Sequence, residues 1–555
     1  MKSVVLAFGL FALFAVPVLL PMLAILRDPS GWSAWREFER LIDLATNSLA
    51  LAGITTVIAL PTGFIVAITT GRGIVWGGSS VRALLTMALF VPLPVTAVAW
   101  QVVLGSWLPS WALSPGEVAW RPWQLGLLPA GFVHGMAALP WVVWIISAVV
   151  RRTDHILEDD ARVLGGSMAV FRLVILPRAA LATLAAALGV MLQTATEIPI
   201  TDAFMVRTFA EEVYTQLVGG GAALSHAVAV AVPVWAAALL TGWLFARRLS
   251  KRTSPLSAEL TPARDLESPR SLRWIATSFA WLVVAVSTGV PLAALVWRAA
   301  GGGVSKLGAH PNMLIDQLEK VIRTDGTTLI TSLAAAVATG VVTAGIALVA
   351  CQLARHSRWF AGFLIALSIT LALTPGPLVG LGLKEAIRLL LDLEDAILSA
   401  FHLQPAFPLL RSALYDQPSP IPAGWAAAIR LFPVACLLLW PAIRAIPQEL
   451  YELARLDGHG SIGVWRLVVF PSIGTVALRA VLAIAALALG EVSAGKLVNP
   501  PFRDVYILRL FDQMHYGAEP TVAALCLLQI AMTGLLATGV LLANRTGRVY
   551  SLVTT

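Results

Sequence analysis

The chain is poor in charge and in cysteine. Only 13% of its 555 residues are Asp, Glu, Lys or Arg, whereas soluble proteins carry about 25%. The three cysteines, Cys351, Cys436 and Cys526, lie in apolar stretches without metal or redox spacing, so we interpret them as small core residues. The eight histidines are scattered as well. No cofactor and no resident metal site are therefore predicted.

The chain is rich in apolar residues, and 58% of its residues are hydrophobic. Runs of about 20 apolar residues are typical of a polytopic α-helical membrane protein. An all-α fold with about twelve transmembrane helices is predicted. The predicted spans lie near residues 4–26, 47–70, 83–107, 128–150, 179–199, 223–246, 274–297, 328–353, 359–383, 424–446, 473–494 and 520–543.

The apolar N-terminus is compatible with either a cleaved signal peptide or a first transmembrane helix. The apolar run extends to about Leu26, which is longer than the usual hydrophobic region of about 7–15 residues. We favour a first transmembrane helix that is retained.

Basic residues indicate the orientation. Segments 151–178 and 247–273 are rich in arginine, and they fall on one side if twelve spans alternate. Because cytoplasmic loops carry an excess of Lys and Arg, both termini are predicted to be cytoplasmic, in a cell (inner or plasma) membrane. Loop arginines also account for the net charge of +8, so no nucleic-acid partner is expected.

One motif occurs twice on that predicted cytoplasmic side. Each copy is an acidic, alanine-containing helical turn followed by glycine, a basic stretch and then Pro177 or Pro471 before an apolar span. Acidic residues suit a helix start, and glycine suits a helix end. A single copy would be compatible with an ordinary capped loop. The residues of interest are Glu158, Asp159, Asp160, Ala161 and Gly165 in the first copy, and Glu452, Leu453, Ala454 and Gly458 in the second.

These two segments resemble the EAA loops of permeases in binding-protein-dependent ABC importers, and we call them the first and second EAA-like segments (158–165 and 452–458). The first has Asp159-Asp160 where the family has Glu-Ala, and the second has Leu453 where the first Ala is expected. The resemblance implies contact with two copies of an ATPase subunit, and the irregular first copy implies that this contact is asymmetric.

Other features also recur in the same order in both parts of the chain. Pro-x-Pro sites (Pro92 and Pro94; Pro375 and Pro377) interrupt the third span of each part, and each site is either a hinge or a static kink. We therefore predict a first permease half (1–246), a cytoplasmic linker (247–273) and a second half (274–555). The two halves are expected to be parallel six-span repeats around one path.

Glu197 and Glu491 occupy matching positions near the outer ends of the fifth spans. A carboxylate there is costly unless it faces protein, water or a ligand. One interpretation is a pair that lines the mouth of the path for a cation or a metal complex. The other is a carboxylate hydrogen-bonded to its own loop or lying at the water interface.

Residues 490–497 nearly match a phosphate-binding loop, but Leu497 replaces the required hydroxyl residue and a membrane helix precedes the segment. The chain is therefore not expected to hydrolyse ATP. Its layout, including Gly490 to Ala494 and the stretch from Ile507 to Ala518, is similar to fused permeases of the iron(III) and thiamine import systems. That resemblance implies an extracytoplasmic solute-binding protein as a further partner and favours iron(III) over thiamine. An ion-coupled secondary transporter is the competing class.

Overall fold

The computed structural model describes residues 2–107, 123–218, 224–252, 261–303, 310–402, 408–500, 505–517 and 519–553. In these ranges, ten helices are long and apolar enough to cross a membrane, and the number is twelve if each of two bent helix pairs counts as one span. The chain is thus an all-α, multi-pass membrane protein, as the apolar runs predicted.

In the described residues, eleven α-helices lie before the linker. They are α1 (Lys2–Leu10), α2 (Val16–Arg27), α3 (Phe38–Gly71), α4 (Gly78–Ala88), α5 (Leu93–Val102), α6 (Leu127–Val150), α7 (His155–Ala169), α8 (Leu176–Thr196), α9 (Pro199–Ala203), α10 (Phe209–Val218) and α11 (Leu224–Arg252).

In the part of the chain that the structure describes, thirteen α-helices follow the linker. They are α12 (Arg270–Val284), α13 (Val290–Ala299), α14 (Pro311–His356), α15 (Arg358–Leu373), α16 (Gly376–Ala400), α17 (Leu409–Arg411), α18 (Ile421–Ala445), α19 (Gln448–Leu456), α20 (Ser461–Val464), α21 (Phe470–Ala488), α22 (Gly495–Val498), α23 (Tyr506–Met514) and α24 (Pro520–Val553).

Proline shapes several of these helices. A proline inside a helix lacks the N–H that would bond to the preceding turn, and its ring clashes with that turn's carbonyl. Widening the preceding turn to a π-turn relieves the clash while the helix continues. Such turns lie at Phe11–Ala15 before Pro17, Val170–Ile175 before Pro177, Ala285–Gly289 before Pro291 and Trp465–Val469 before Pro471.

The two Pro-x-Pro sites coincide with the sharpest bends. The axes of α4 and α5 differ by 103° around Pro92, and those of α15 and α16 differ by 109° around Pro375. Each of these prolines directly precedes its second helix in an extended conformation, where a proline is compatible with a helix start. Each pair is either one broken span or a re-entrant loop.

The first helices on each side of the linker pack against helices from the other side. Phe14 stacks on Phe432, with ring centroids 4.8 Å apart, and lies in one buried cluster with residues of α14 to α18. On the other side, Ala280 of α12 lies in a buried cluster with Val142 and Ile146 of α6. Helices in a bilayer associate through close side-chain packing, so this exchange interlocks the two halves.

The connection between α11 and α12 is shorter than the predicted linker of 247–273. Since α11 extends to Arg252 and α12 starts at Arg270, only residues 253–269 connect them, and 253–260 lie outside the described residues. Strand β2 (Thr261–Pro262) pairs antiparallel with β1 (Arg152–Thr153), and Leu266 is buried. The end of the linker therefore packs beside α7.

Candidate functional site

Glu197 and Glu491, from different halves, meet at one arginine. Arg430 donates from one terminal nitrogen to Glu197 Oε1 at 2.5 Å and from the other to Glu491 Oε1 at 3.2 Å. The side chains of Arg430, Glu197 and Glu491 are 13%, 16% and 10% exposed. We call these three residues the Arg430 triad. Its formal charge is −1, because one guanidinium faces two carboxylates.

Further hydrogen bonds fix both carboxylates. Ser493 Oγ donates to Glu197 Oε2 at 2.8 Å, a second contact between the halves. The backbone N–H of Ala494 donates to Glu491 Oε1 at 2.9 Å. Both glutamates follow the ends of helices, α8 and α21, where the backbone leaves the helical conformation. The triad therefore lies at the ends of these helices that are remote from the EAA-like segments.

Arg430 was not among the residues predicted from the sequence. It lies inside the apolar helix α18, where an ionisable side chain is costly and usually functional. The presence of an arginine in an apolar run was the signal that could have identified Arg430, because an arginine within an apolar span requires an acidic partner. Only the packed bundle identifies that partner as two residues, each of which follows the end of a different helix.

The bent helix pairs at the two Pro-x-Pro sites contact residues of the Arg430 triad or their neighbours. A Cβ added at Gly376 would lie 2.3 Å from Ser493 Cβ and 2.7 Å from an Arg430 nitrogen, so only glycine fits there. A Cβ on Gly490 would lie 3.0 Å from Pro92 of the other half. Pro94 and Pro377 are buried in the first turns of α5 and α16. Both Pro-x-Pro sites thus lie beside the triad or its immediate neighbours.

The first EAA-like segment is anchored by a buried ion pair. Glu158 pairs with Arg72 at 2.5 Å, and the two side chains are 0% and 1% exposed. Asp159 instead pairs with Arg264 of the linker at 2.8 Å, with about half of each side chain exposed. Ala161 is buried, whereas Asp160 and Gly165 are exposed. Glu158 therefore holds the segment in place and is not available to a partner.

The second EAA-like segment is anchored without an ion pair. Arg355 lies over the ring of Tyr451 at 4.6 Å and donates to the backbone oxygens of Ile443 and Ile446. Tyr451 also donates its hydroxyl to Gln352 Oε1 at 3.2 Å. In the segment itself, Ala454 is buried, whereas Glu452, Leu453 and Gly458 are exposed.

The glycine turns of the two segments differ in position. Gly458 has φ of 79° and ends α19, a conformation that favours glycine. In the first segment the positive φ, 64°, belongs to Gly166. Gly165 has an extended φ of −179°, so the neighbour of the predicted glycine makes the left-handed turn.

Both segments expose apolar side chains. The exposed fraction is 88% for Val163 and 82% for Leu456. Others with substantial exposure are Ile156, Leu157, Leu164, Met168, Leu450, Leu453 and Ile462. Exposed apolar residues concentrated within and beside a segment are typical of a surface that another protein or a lipid covers.

A further contact between the halves involves a histidine outside the spans. His515 Nε2 lies 2.7 Å from Asp202 Oδ2, and this hydrogen bond raises the pKa of His515 above its usual value. In the described part of the chain, no group of three or more His, Cys, Asp or Glu residues is arranged to hold a metal ion.

No known protein family, curated protein or solved structure matches this chain. The fold and the site define a class: a multi-pass, all-α membrane protein with a largely buried ionic triad that joins residues from before and after the linker. What the protein does must therefore be inferred from its own residues.

Proposed function

We propose that the chain is the fused permease of an ATP-driven importer, with its path between the two halves. The observation that carries this proposal is the pair of short EAA-like helices, α7 and α19, each with exposed apolar side chains and each followed by a span. Short helices with exposed apolar side chains suit docking to a partner protein. The resemblance of their sequences makes that partner an ATPase pair.

Recurrent geometry supports a duplicated unit of six spans. The bends of 103° and 109° occur at matching prolines. The π-turns before Pro17 and Pro291 recur at matching places in the first spans, and those before Pro177 and Pro471 recur in the fifth. Two parallel repeats place a path at their interface, in a cell membrane with both termini cytoplasmic.

The proposed complex contains one permease chain, two copies of the ATPase subunit and an extracytoplasmic binding protein. ATP hydrolysis belongs to the ATPase subunits, so the permease is a transport subunit and not an enzyme. Iron(III) is the favoured cargo because of the family resemblance, and thiamine or another small solute is the alternative. Glu197 and Glu491 are the candidate path residues.

An ion-coupled secondary transporter is the second candidate. Two buried glutamates are the residues that a proton or sodium site would use. A secondary transporter, however, gives no reason for two EAA-like helices. The paired EAA-like helices therefore favour the ATP-driven class.

The test is reconstitution with the ATPase and the binding protein encoded by neighbouring genes. Loaded binding protein should stimulate ATP hydrolysis only when the permease is present, and labelled iron(III) or thiamine should enter proteoliposomes with ATP. Uptake that persists without ATP but stops with an ionophore would overturn the proposal in favour of the secondary transporter.

A variant of the second segment sharpens this test. Gly458→Glu adds a charge at the end of α19 and should abolish uptake and ATPase association while leaving the chain in the membrane. Gly458→Asn is the control, because asparagine tolerates a positive φ and adds no charge. Normal ATPase association in the Glu variant would contradict the docking role.

A further inference from the structure

We infer that the Arg430 triad is a charge-selective gate, in which the Arg430 guanidinium occupies the place that a cationic cargo takes when the halves separate. The inference rests on the proposed function and adds the charge class of the cargo. Arg430 is thereby a built-in counter-ion of the path, with Glu197 and Glu491 as the groups that contact the cargo.

Arg430 shares its guanidinium between two carboxylates. An arginine commonly binds one carboxylate through two parallel hydrogen bonds. Arg430 instead directs its two terminal nitrogens to two carboxylates, Glu197 of the first half and Glu491 of the second. The guanidinium thus bridges the halves and holds them together at this end of the bundle.

Separation of the two halves would leave Glu197 without its hydrogen-bond partners. Arg430, Glu491 and Ser493 all belong to the second half, so opening strips Glu197 of its bonds to both Arg430 and Ser493. A carboxylate in a poorly hydrated site is strongly disfavoured without a counter-charge. A cation entering the gap supplies that charge, whereas an anion would meet an uncompensated carboxylate.

A pocket lies beside Glu491. It has a volume of about 50 Å³, and its lining includes Glu491, Thr339 and Gln529. The side-chain nitrogen of Gln529 donates to the Leu489 carbonyl at 2.9 Å. Its side-chain oxygen is buried and has no hydrogen-bond partner. A carbonyl oxygen and a carboxylate around one pocket provide the oxygen atoms that bind hard cations.

The bent helix pairs at the Pro-x-Pro sites contact the Arg430 triad. Gly376 touches both Arg430 and Ser493, and Pro92 touches Gly490, next to Glu491. Motion of either bent helix pair would therefore displace members of the triad. The Pro-x-Pro sites connect helix movement to the gate, which explains why the breaks lie at this level of the bundle.

The test uses purified permease in non-ionic detergent, with Tb³⁺ as a redox-inert cation probe and sulfate as the anion. In Arg430→Met, the two carboxylates lose their counter-ion, and Tb³⁺ should raise the Tm in a concentration-dependent way. Tb³⁺ should bind the wild type about thirtyfold or more weakly, because Arg430 competes for the same carboxylates.

Two controls accompany this experiment. Arg430→Met combined with Glu197→Gln and Glu491→Gln keeps the packing and removes the charges, so its Tb³⁺ response measures only binding elsewhere on the surface. If Arg430→Met fails to fold, Arg430→Gln with Glu197→Gln has the net charge of the wild type. That variant should bind Tb³⁺ through Glu491 more tightly than the wild type does.

An equal Tb³⁺ response in the Arg430→Met variant and the triple variant would overturn the inference. So would sulfate stabilising the wild type in an Arg430-dependent way, which would identify an anion site. The binding assay needs no ATPase and no binding protein. Loss of cation binding alongside intact ATP-dependent uptake would refute only the gate, whereas failed reconstitution would refute the permease.

Discussion

The two EAA-like segments have similar sequences but different anchors. In the first, a buried glutamate, Glu158, pairs with Arg72 at the end of α3. In the second, Tyr451 lies under Arg355 in the last turn of α14. Each anchor directly precedes the acidic residue that the resemblance aligns, Asp159 or Glu452. An arginine at the end of a long helix thus holds each segment, through charge in one case and through an aromatic ring in the other.

This difference separates anchoring residues from exposed ones. Ala161 and Ala454 are buried at matching positions, whereas Asp159 and Glu452 are exposed. The motif's alanine serves packing, and its acidic residue remains at the surface. In the first segment the linker also covers part of that surface, since Arg264 pairs with Asp159. The two segments therefore expose different surfaces.

The largest expected effect comes from breaking the buried pair. Glu158→Ala leaves the Arg72 guanidinium buried without its carboxylate, and loss of one partner of such a pair costs about 3–5 kcal/mol. We expect a clear fall in Tm, measured in detergent. The matched change in the second segment, Tyr451→Leu, removes a cation–π contact and one hydrogen bond and should cost about 1–3 kcal/mol.

The double variant Arg72→Met with Glu158→Leu checks the cause. Replacing both charges with apolar side chains removes the uncompensated ion, so this variant should be more stable than Glu158→Ala. Equal losses in the Glu158 and Tyr451 variants would show that the two anchors contribute alike, and would remove the contrast between the segments.

An intermediate effect is expected at the glycine turns. Gly166→Ala and Gly458→Ala each force an alanine to adopt a positive φ, at a cost of about 1–3 kcal/mol. Gly165→Ala should be milder, because Gly165 has an extended φ and the new Cβ would lie 3.2 Å from a methyl group, that of Ala169. Hydrogen exchange of the segment amides would report these changes. A larger effect at Gly165 than at Gly166 would place the turn at the glycine favoured by the sequence.

The smallest effect belongs to the exposed pair between the linker and the first segment. Arg264→Ala should lower stability by at most about 1 kcal/mol, because both partners are about half exposed and screened by salt. It should nevertheless change ATPase affinity, since it frees Asp159, and the change should shrink at high ionic strength. Arg162→Ala, which removes a neighbouring positive charge without touching this pair, is the control for charge alone.

Local chemistry explains what could be read from the sequence. Among the described residues, the apolar runs located every helix that is long enough to span a membrane, because a bilayer requires about 20 apolar residues whatever their partners are. Pro92 and Pro375 marked the bends, because a missing N–H and a fixed φ act within one turn. The glycine of the first segment was misplaced by one residue, since Gly165 and Gly166 are chemically identical and only the packed backbone distinguishes them.

Tertiary packing decided the rest. The sequence identified Glu197 and Glu491 as a matched pair, but their meeting at Arg430 joins residues that lie 233 and 61 positions away along the chain. The exchange of first helices between the halves and the pairing of Arg72 with Glu158 depend on the same packing. Helix formation follows from periodicity and composition within a few turns, whereas the partner of a buried charge depends on which helices pack together.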